Sequence, residues 1–349
     1  MTCVSHRWLL RSGTVLLGCS LIAVLLFAVG GRRRSISCDL IQVEIGTVCS
    51  NGGGEVLLQA ANYRCDRPVI LACDKISLRG RGPDTLLHLA SMANSPVLVV
   101  GDTNDPPSLR SRIQVSDLRI DGNREKQDVE VWADTQIRNS GIVVRGVSDV
   151  LIERIIVSKA RSAGVVVEKG SVRVNIRGLI SSDNFFDGLA AYETEDSIFS
   201  DLLLYENLQS GLSFDLNFDR NVIGDAVITD NGHNGIFMRC SKDNQFHGLQ
   251  IRNSTEHGIF LADAVGDPTA VCTDAATGNS FTGLTISDSG QNAAPGEGFC
   301  VTASVGGAGI CVNNASATDN LVCASQLTNN VGGNIVEDAP VQECGNILR

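Results

Sequence analysis

The chain is poor in positive charge. Its 28 lysines and arginines face 39 acidic residues among 349, a formal net charge of −11. That balance argues against nucleic acid as a partner. Phosphate-binding signatures are missing as well: no P-loop or dinucleotide fingerprint occurs, and Gly80-Arg81-Gly82 is too short to count. There is no G-x-S-x-G elbow, which removes the familiar serine-hydrolase arrangement. No C-x-x-C pair or cysteine–histidine spacing suggests zinc. Helical solenoids need two helices per unit or leucine at fixed offsets, and neither is seen. The proline-rich stretch GDTNDPPSLRSR, residues 101–112, reads as the interruption of a coil and not as a domain boundary.

One long hydrophobic run is present. Residues 12–31 carry no charge and are followed by Arg32-Arg33-Arg34. The segment is long enough to span a bilayer, and Ala28-Val29-Gly30 also fits a signal-peptide cleavage site. Residues 1–37 are therefore expected to be a signal peptide or a membrane anchor with a basic flank. The rest would be secreted or held at the cell surface, touching a membrane only through this segment. Ten cysteines follow it, an even number that suggests disulfides in an exported chain. Short separation nominates Cys65–Cys73 and Cys323–Cys344.

What the sequence has in abundance is a repeat. GIVVR, GVVVE, GLAAY, GLSFD, GIFMR and GIFLA begin at Gly141, Gly164, Gly188, Gly211, Gly235 and Gly258, spaced 23, 24, 23, 24 and 23 residues apart. A period in the low twenties built from short β-branched runs and Gly, Asn, Asp and Ser corners marks a solenoid of strands. A second strand recurs at Asp201–Leu204, Asp225–Ile228, Gly248–Ile251 and Gly283–Ile286. Corners fall at Asn184, Asn207, Asn231 and Ser254, where asparagine tolerates the left-handed conformation and can ladder its amide. A further polar corner holds Asn221, Asn244, Asn279 and Asn320. The expected fold is all-β: a right-handed, single-stranded parallel β-helix.

A short helix within 38–54, with Leu40, Ile41, Val43 and Ile45, is expected to cap its open end. Residues 38–112 would form the cap and irregular first coils, and 113–349 the regular helix. Insertions at 124–140, 263–277 and 303–318 decorate it, the last two stacking into a wall near Cys272 and Cys311. The product is expected to be a monomer.

Coils stacked ~4.8 Å apart turn equivalent residues into columns. In the phrase G-h-x-h-x, positions two and four should point inward, as Leu212 and Phe214, Ile236 and Met238, and Ile259 and Leu261. Positions three and five should point out. Position five reads Arg145, Glu168, Tyr192, Asp215, Arg239, Ala262, and position three includes Phe237 and Phe260. A long sheet with stacked polar columns suits an extended, repeating ligand, and by analogy of fold that ligand is a polysaccharide.

Residues 211–261 resemble the catalytic coils of the mannuronan C5-epimerases, β-helix enzymes that act on polyuronates. Phe214-Asp215 matches the start of that family's Phe-Asp-Pro-His-Glu motif. Asp230-Asn231-Gly232-His233-Asn234-Gly235 matches its turn, Asp243-Asn244-Gln245-Phe246 its next piece, and His257-Gly258 its His-Gly pair. The chain departs from the family at Leu212, where the catalytic tyrosine belongs, and at Asn217, where the motif histidine belongs. The resemblance implies an acidic polysaccharide substrate and lyase or C5-epimerase chemistry. Such chemistry neutralises the sugar carboxylate, removes the C5 proton and supplies an acid. Arg239 would meet the carboxylate, or Asp215 would do so if protonated or bridged by calcium, the one cofactor left open. His257, with an ordinary pKa near 6.5, would be the base, and Tyr192 the acid. Glu168, Arg145, Phe237 and Phe260 would contact substrate. Two alternatives stand beside this reading. Glu168 and Asp215, two rungs apart, could serve an inverting glycoside hydrolase. The replacements at Leu212 and Asn217 would suit a non-catalytic glycan-binding or adhesin-like solenoid.

Overall fold

The computed structural model describes residues 35–130, 137–262, 275–291, 300, 306–313 and 315–349. They form a parallel β-helix in which each strand pairs with its equivalent one coil on, as in Leu189↔Leu212↔Ile236↔Ile259. Two sheets result. The narrow sheet takes one strand from each coil, running from Val69–Leu71 through Ile142–Arg145, Val165–Glu168, Leu189–Tyr192, Leu212–Asp215, Ile236–Met238 and Ile259–Leu261 to Ile335–Glu337. The wide sheet takes the remainder of each coil. It bends where Asp117, Arg154, Gly178, Asp201, Asp225, Gly248 and Gly283 all adopt positive φ. The bend falls at the start of the expected second strand: Ile198–Tyr205 and Val222–Thr229 run through Asp201 and Asp225 without a break, while the strands after Gly248 and Gly283 begin at Gln250 and Thr285.

The inward residues of the repeat phrase are buried as expected: Leu212, Phe214, Ile236, Met238, Ile259 and Leu261 all lie in one continuous core. Phe214 stacks on Phe218 with ring centroids 4.0 Å apart, and Phe246 on Phe281 at 4.7 Å. The leading glycine of the phrase is required by close approach. A Cβ on Gly188 would lie 2.7 Å from the carbonyl oxygen of Gly211, and one on Gly235 2.6 Å from that of Gly258.

Buried polar columns complete the interior. Asn184, Asn207 and Asn231 form one amide ladder, and Asn221, Asn244, Asn279 and Asn320 another. In each, the backbone N–H of one asparagine also donates to the Oδ1 of the next, for example Asn207 to Asn231 at 3.1 Å. The laddering is as expected, but the left-handed residues are their predecessors Asp183, Glu206 and Asp230. A positive φ at that residue turns the chain so that the asparagine side chain faces inward along the stack.

The helix Cys38–Ser50 caps the first coils, burying Ile41 and Ile45 while Leu40 and Val43 face solvent. Disulfides Cys38–Cys65 and Cys49–Cys73 tie it down. The expected Cys65–Cys73 bridge is therefore incorrect: each of those cysteines meets one end of the helix instead. Cys323–Cys344 is present as expected, joining two paired strands of the last coils. Cys300–Cys311 is bridged too, and Cys240 is disulfide-bonded. Disulfides in this number belong to a chain that matures in an oxidising compartment. Among the described residues no helix is long and apolar enough to cross a membrane. Residues 12–31 lie outside them, as do Cys272, residues 263–274 and residues 303–305 of the expected wall. The expected insertion at 303–318 is corrected: Ile310–Val312 within it is a strand of the narrow sheet, paired with Ile259–Leu261 and Ile335–Glu337, because its apolar side chains continue the core of the coil.

Candidate functional site

The outer face of the narrow sheet brings the position-five column together. Glu168 pairs in register with Arg145, and Tyr192 with Asp215. The column was expected to point outward on an exposed sheet. It is instead largely covered, because two segments cross this face.

The first is the loop after Leu98–Gly101. Asp102 organises it by accepting from the backbone N–H groups of Asn104 and Ser108, which hold its carboxyl well below the usual carboxylate range. The loop lies on Arg145, whose Nη1 donates to the Thr103 carbonyl at 3.1 Å, while its Nε stands 3.4 Å from Glu168 Oε1. Arg145 is only 3% exposed, so the structure takes it out of an open substrate surface and makes it a support beneath the loop. Burial raises the Glu168 carboxyl, opposed chiefly by Arg145.

The second segment is the insertion at 124–140. Its described part is anchored on the neighbouring corner, where Gln127 Nε2 donates to the Ala90 carbonyl and Asn94 N donates to Gln127 Oε1. It also includes Arg138, whose Nη1 donates to the Tyr192 hydroxyl at 3.2 Å and whose guanidinium lies 4.8 Å from the ring centre. Burial, opposed by Arg138, pushes the Tyr192 hydroxyl up to about 12. Tyr192 therefore keeps its proton at neutral pH.

One rung on, Arg239 grips Asp215 through Nε at 3.0 Å and Nη2 at 2.6 Å, both to Oδ2. Asp215 Oδ1 also accepts from the Leu216 backbone at 2.8 Å. Arg239 and the Leu216 N–H thus both engage the carboxylate that was a candidate for bridging by calcium. Among the described residues no group of three or more His, Cys, Asp or Glu could hold a metal. Phe237 stands beside the pair, its ring centre 5.9 Å from the Arg239 guanidinium carbon, and meets Phe260 edge-to-face at 6.0 Å; Phe260 in turn lies 5.0 Å from the His257 ring, and both phenylalanines are half-buried.

His257 is placed elsewhere. It precedes the strand Ile259–Leu261, whereas Asp215 ends its own strand. In register the two backbones are five residues apart along the sheet, about 16 Å at ~3.3 Å per residue, and two rungs apart as well. The ring is fully buried, and its Nδ1 accepts the Ala308 backbone N–H at 2.9 Å. Burial lowers its pKa to about 4. The expected pairing of His257 as base with Asp215 is thus corrected: His257 caps the coil above it. Its column-mates do the same, as Asp187 Oδ1 accepts from Ser210 N and Asn234 Oδ1 accepts from His257 N. Asn217, at the family's histidine position, is exposed in a left-handed corner.

Sequence reasoning missed Arg138 and Asp187. Arg138 sits in an insertion without periodicity. Asp187 had a signal: an acid directly before the repeat glycine, where other coils carry Ser140, Ala163, Ser210 or Asn234.

A family profile described as "Right handed beta helix region" matches residues 110–275. The fold is that of a right-handed parallel β-helix. A mannuronan C5-epimerase of Azotobacter vinelandii is 27% identical over 183 residues, half of this chain and 32% of that protein. A second from the same organism is 24% identical over 265 residues, 68% of this chain and 26% of that protein. The chain spans a third or less of the length of the curated relatives it matches. Among solved structures, the A-module of an Azotobacter vinelandii mannuronan C-5 epimerase superposes with a TM-score of 0.62 at 16% identity, covering 91% of this chain and 97% of that one. An endo-xylogalacturonan hydrolase from Aspergillus tubingensis gives 0.64 at 14%, covering 92% and 91%. A surface adhesin of Streptococcus pneumoniae gives 0.63 at 12%, covering 85% and 79%. The structural likenesses bear on the fold alone.

Proposed function

We propose that this β-helix acts on an acidic polysaccharide at the outer face of its narrow sheet, by lyase or C5-epimerase chemistry. The observation that carries the reading is the juxtaposition of Tyr192, which keeps its proton, with the Asp215–Arg239 pair one rung on. Glu168, one rung below with its proton affinity raised by burial, takes the C5 proton as its carboxylate, and Tyr192 supplies the acid. Arg138 and Arg239 present guanidinium groups suited to a sugar carboxylate. Phe237 and Phe260 offer ring faces to the next sugars. The relatedness to mannuronan C5-epimerases supports a polyuronate as the substrate class. The protein acts outside the cytoplasm, as a monomer.

A second reading has its own support. His257 is buried and uncharged, and Leu212 in the core stands at the family's tyrosine position. Both favour a solenoid that binds acidic glycan without turning it over.

Incubation with defined polyuronates and neutral polysaccharides separates the readings. The expected result is an ultraviolet-absorbing unsaturated uronate, or altered C5 configuration by NMR, abolished in Tyr192→Phe. New reducing ends without unsaturation would instead indicate the hydrolase. Glycan binding without product would leave the second reading standing, and no binding to any glycan would overturn both.

A further inference from the structure

The buried acid Asp187 has no place in the chemistry above. It precedes the strand Leu189–Tyr192 and is only 2% exposed. Its Oδ1 accepts the Ser210 backbone N–H at 2.9 Å, the capping role shared by its column. Capping needs a single acceptor, which an asparagine or histidine supplies on later coils. The second oxygen, Oδ2, is buried without a well-formed hydrogen bond, the Ser213 hydroxyl on the neighbouring strand being the side-chain donor that faces the carboxyl. A buried oxygen left in this way is costly, and capping does not explain it.

The charged groups around Asp187 are those of the candidate site. Arg138 and Glu130 face it from the 124–140 insertion, Ser213 from the neighbouring strand, and Tyr192 lies at the far end of its own strand. Arg138 reaches across, with its guanidinium over the Tyr192 ring and its Nη1 on the hydroxyl. Glu168, on the rung below Tyr192, also acts on Arg138.

We propose that Asp187 is a positioning residue of this site: its carboxyl steers the Arg138 guanidinium over Tyr192 and so sets the proton affinity of the Tyr192 hydroxyl. With Asp187 protonated, its pull on the Arg138 guanidinium is lost, while Tyr192 and Glu168 still act on it. Ionisation of Asp187 adds a negative charge that pulls on Arg138 and opposes loss of the Tyr192 proton. Burial raises the Asp187 carboxyl to about 7, opposed by the Ser210 N–H and Arg138. The change therefore falls near neutral pH, where a polysaccharide-processing site would work. The proposal deepens the functional reading above, since a proton on Tyr192 matters only if Tyr192 acts as an acid. Its test does not depend on turnover.

The protein contains three tyrosines. Labelled with carbon-13 at the phenolic carbon, the Tyr192 resonance is identified as the one lost in Tyr192→Phe. Followed from roughly pH 5 to roughly pH 9, a span around the raised value and above the ordinary carboxylate range, it should inflect near the Asp187 midpoint. Asp187→Asn, which keeps the oxygen that caps Ser210, should remove the inflection. Arg138→Gln should shrink it by at least half. A flat Tyr192 resonance in the unmodified protein would overturn the proposal without any variant at Asp187. So would an inflection that persists unchanged in a folded Asp187→Asn. If a polyuronate product has been found, Asp187→Asn should also remove the kcat limb near neutral pH and leave KM within a few-fold. An unchanged kcat profile would overturn the link to catalysis, while the resonance would still report on the electrostatic coupling.

Discussion

On the outer face of the wide sheet, arginines whose side chains stay about half exposed meet acids one coil below: Arg79 with Glu55, Arg154 with Asp117, Arg173 with Asp149, Arg177 with Glu153 and Arg220 with Asp196. On the narrow sheet the same chemistry recurs as Arg145 with Glu168 and Arg239 with Asp215. The Arg154 side chain is 56% exposed and that of Arg239 17%. The residue types and the ladder geometry are alike, so the difference comes from what crosses each face. Water screens the wide-sheet pairs, and each is worth little. On the narrow sheet the loop after Gly101 lies on Arg145 and Arg138 of the 124–140 insertion reaches over Tyr192, and charges there depend on their partners. A stacked column of ions is therefore no sign of a site. A column that inserted segments have covered is a better one.

That contrast can be broken most sharply at Arg239. Arg239→Ala leaves Asp215 buried beside a lost partner and should cost about 3–5 kcal/mol of stability, read by denaturant unfolding. Asp215→Asn in the same background should recover part of the loss. A cost near zero would mean that the narrow face is as wet as the wide one.

The buried column before the repeat glycine provides a middle-sized test, because two of its members respond to pH in opposite directions. Asp187 is raised to about 7 in the folded protein, so the stability it contributes is full below its ordinary pKa and is lost as pH rises through about 7. His257 is lowered to about 4, so its contribution is full above its ordinary pKa and is lost as pH falls through about 4. Between about pH 4 and 7 the two slopes oppose each other. Relative to the unmodified protein, Asp187→Asn should make stability rise with pH across that window, and His257→Asn should make it fall. Each change should be on the order of 1 kcal/mol per pH unit, followed by melting at a series of pH values. Identical slopes in all three proteins would show that neither group is buried as described.

The smallest effect is expected on the open face. Arg154→Ala should change stability by less than about 1 kcal/mol, and moderate salt should erase the difference. A loss as large as that of Arg239→Ala would remove the distinction between the faces.

Much of the fold was legible because the solenoid repeats its own rules. Glycine spacing located the strands of the narrow sheet, and hydrophobic alternation identified Leu212, Phe214, Ile236 and Met238 as core. Asparagine at constant offset marked both amide ladders. The site was legible in part. Tyr192, Asp215 and Arg239 share a column because equal spacing puts them there, and the structure brings them together. The same reasoning misjudged His257, because periodicity gives a residue's place along the coil without telling which neighbours close over it.

The sequence by itself determined the period, the inward and outward faces, and the residues that stack. These follow from local rules that each coil obeys: alternation in a strand, a left-handed residue at each bend, and a glycine where successive coils touch. Only the tertiary structure decided which outward residues would be dry. Burial of Arg145 depends on the course of an aperiodic loop, and the setting of Tyr192 depends on Arg138, which lies 54 residues away in the chain. The helix cysteines likewise chose Cys65 and Cys73 as partners across a fold that spacing alone does not describe. Proton affinities follow burial and neighbouring charge, and for Tyr192, Asp187 and His257 both were set by segments that the repeat does not encode.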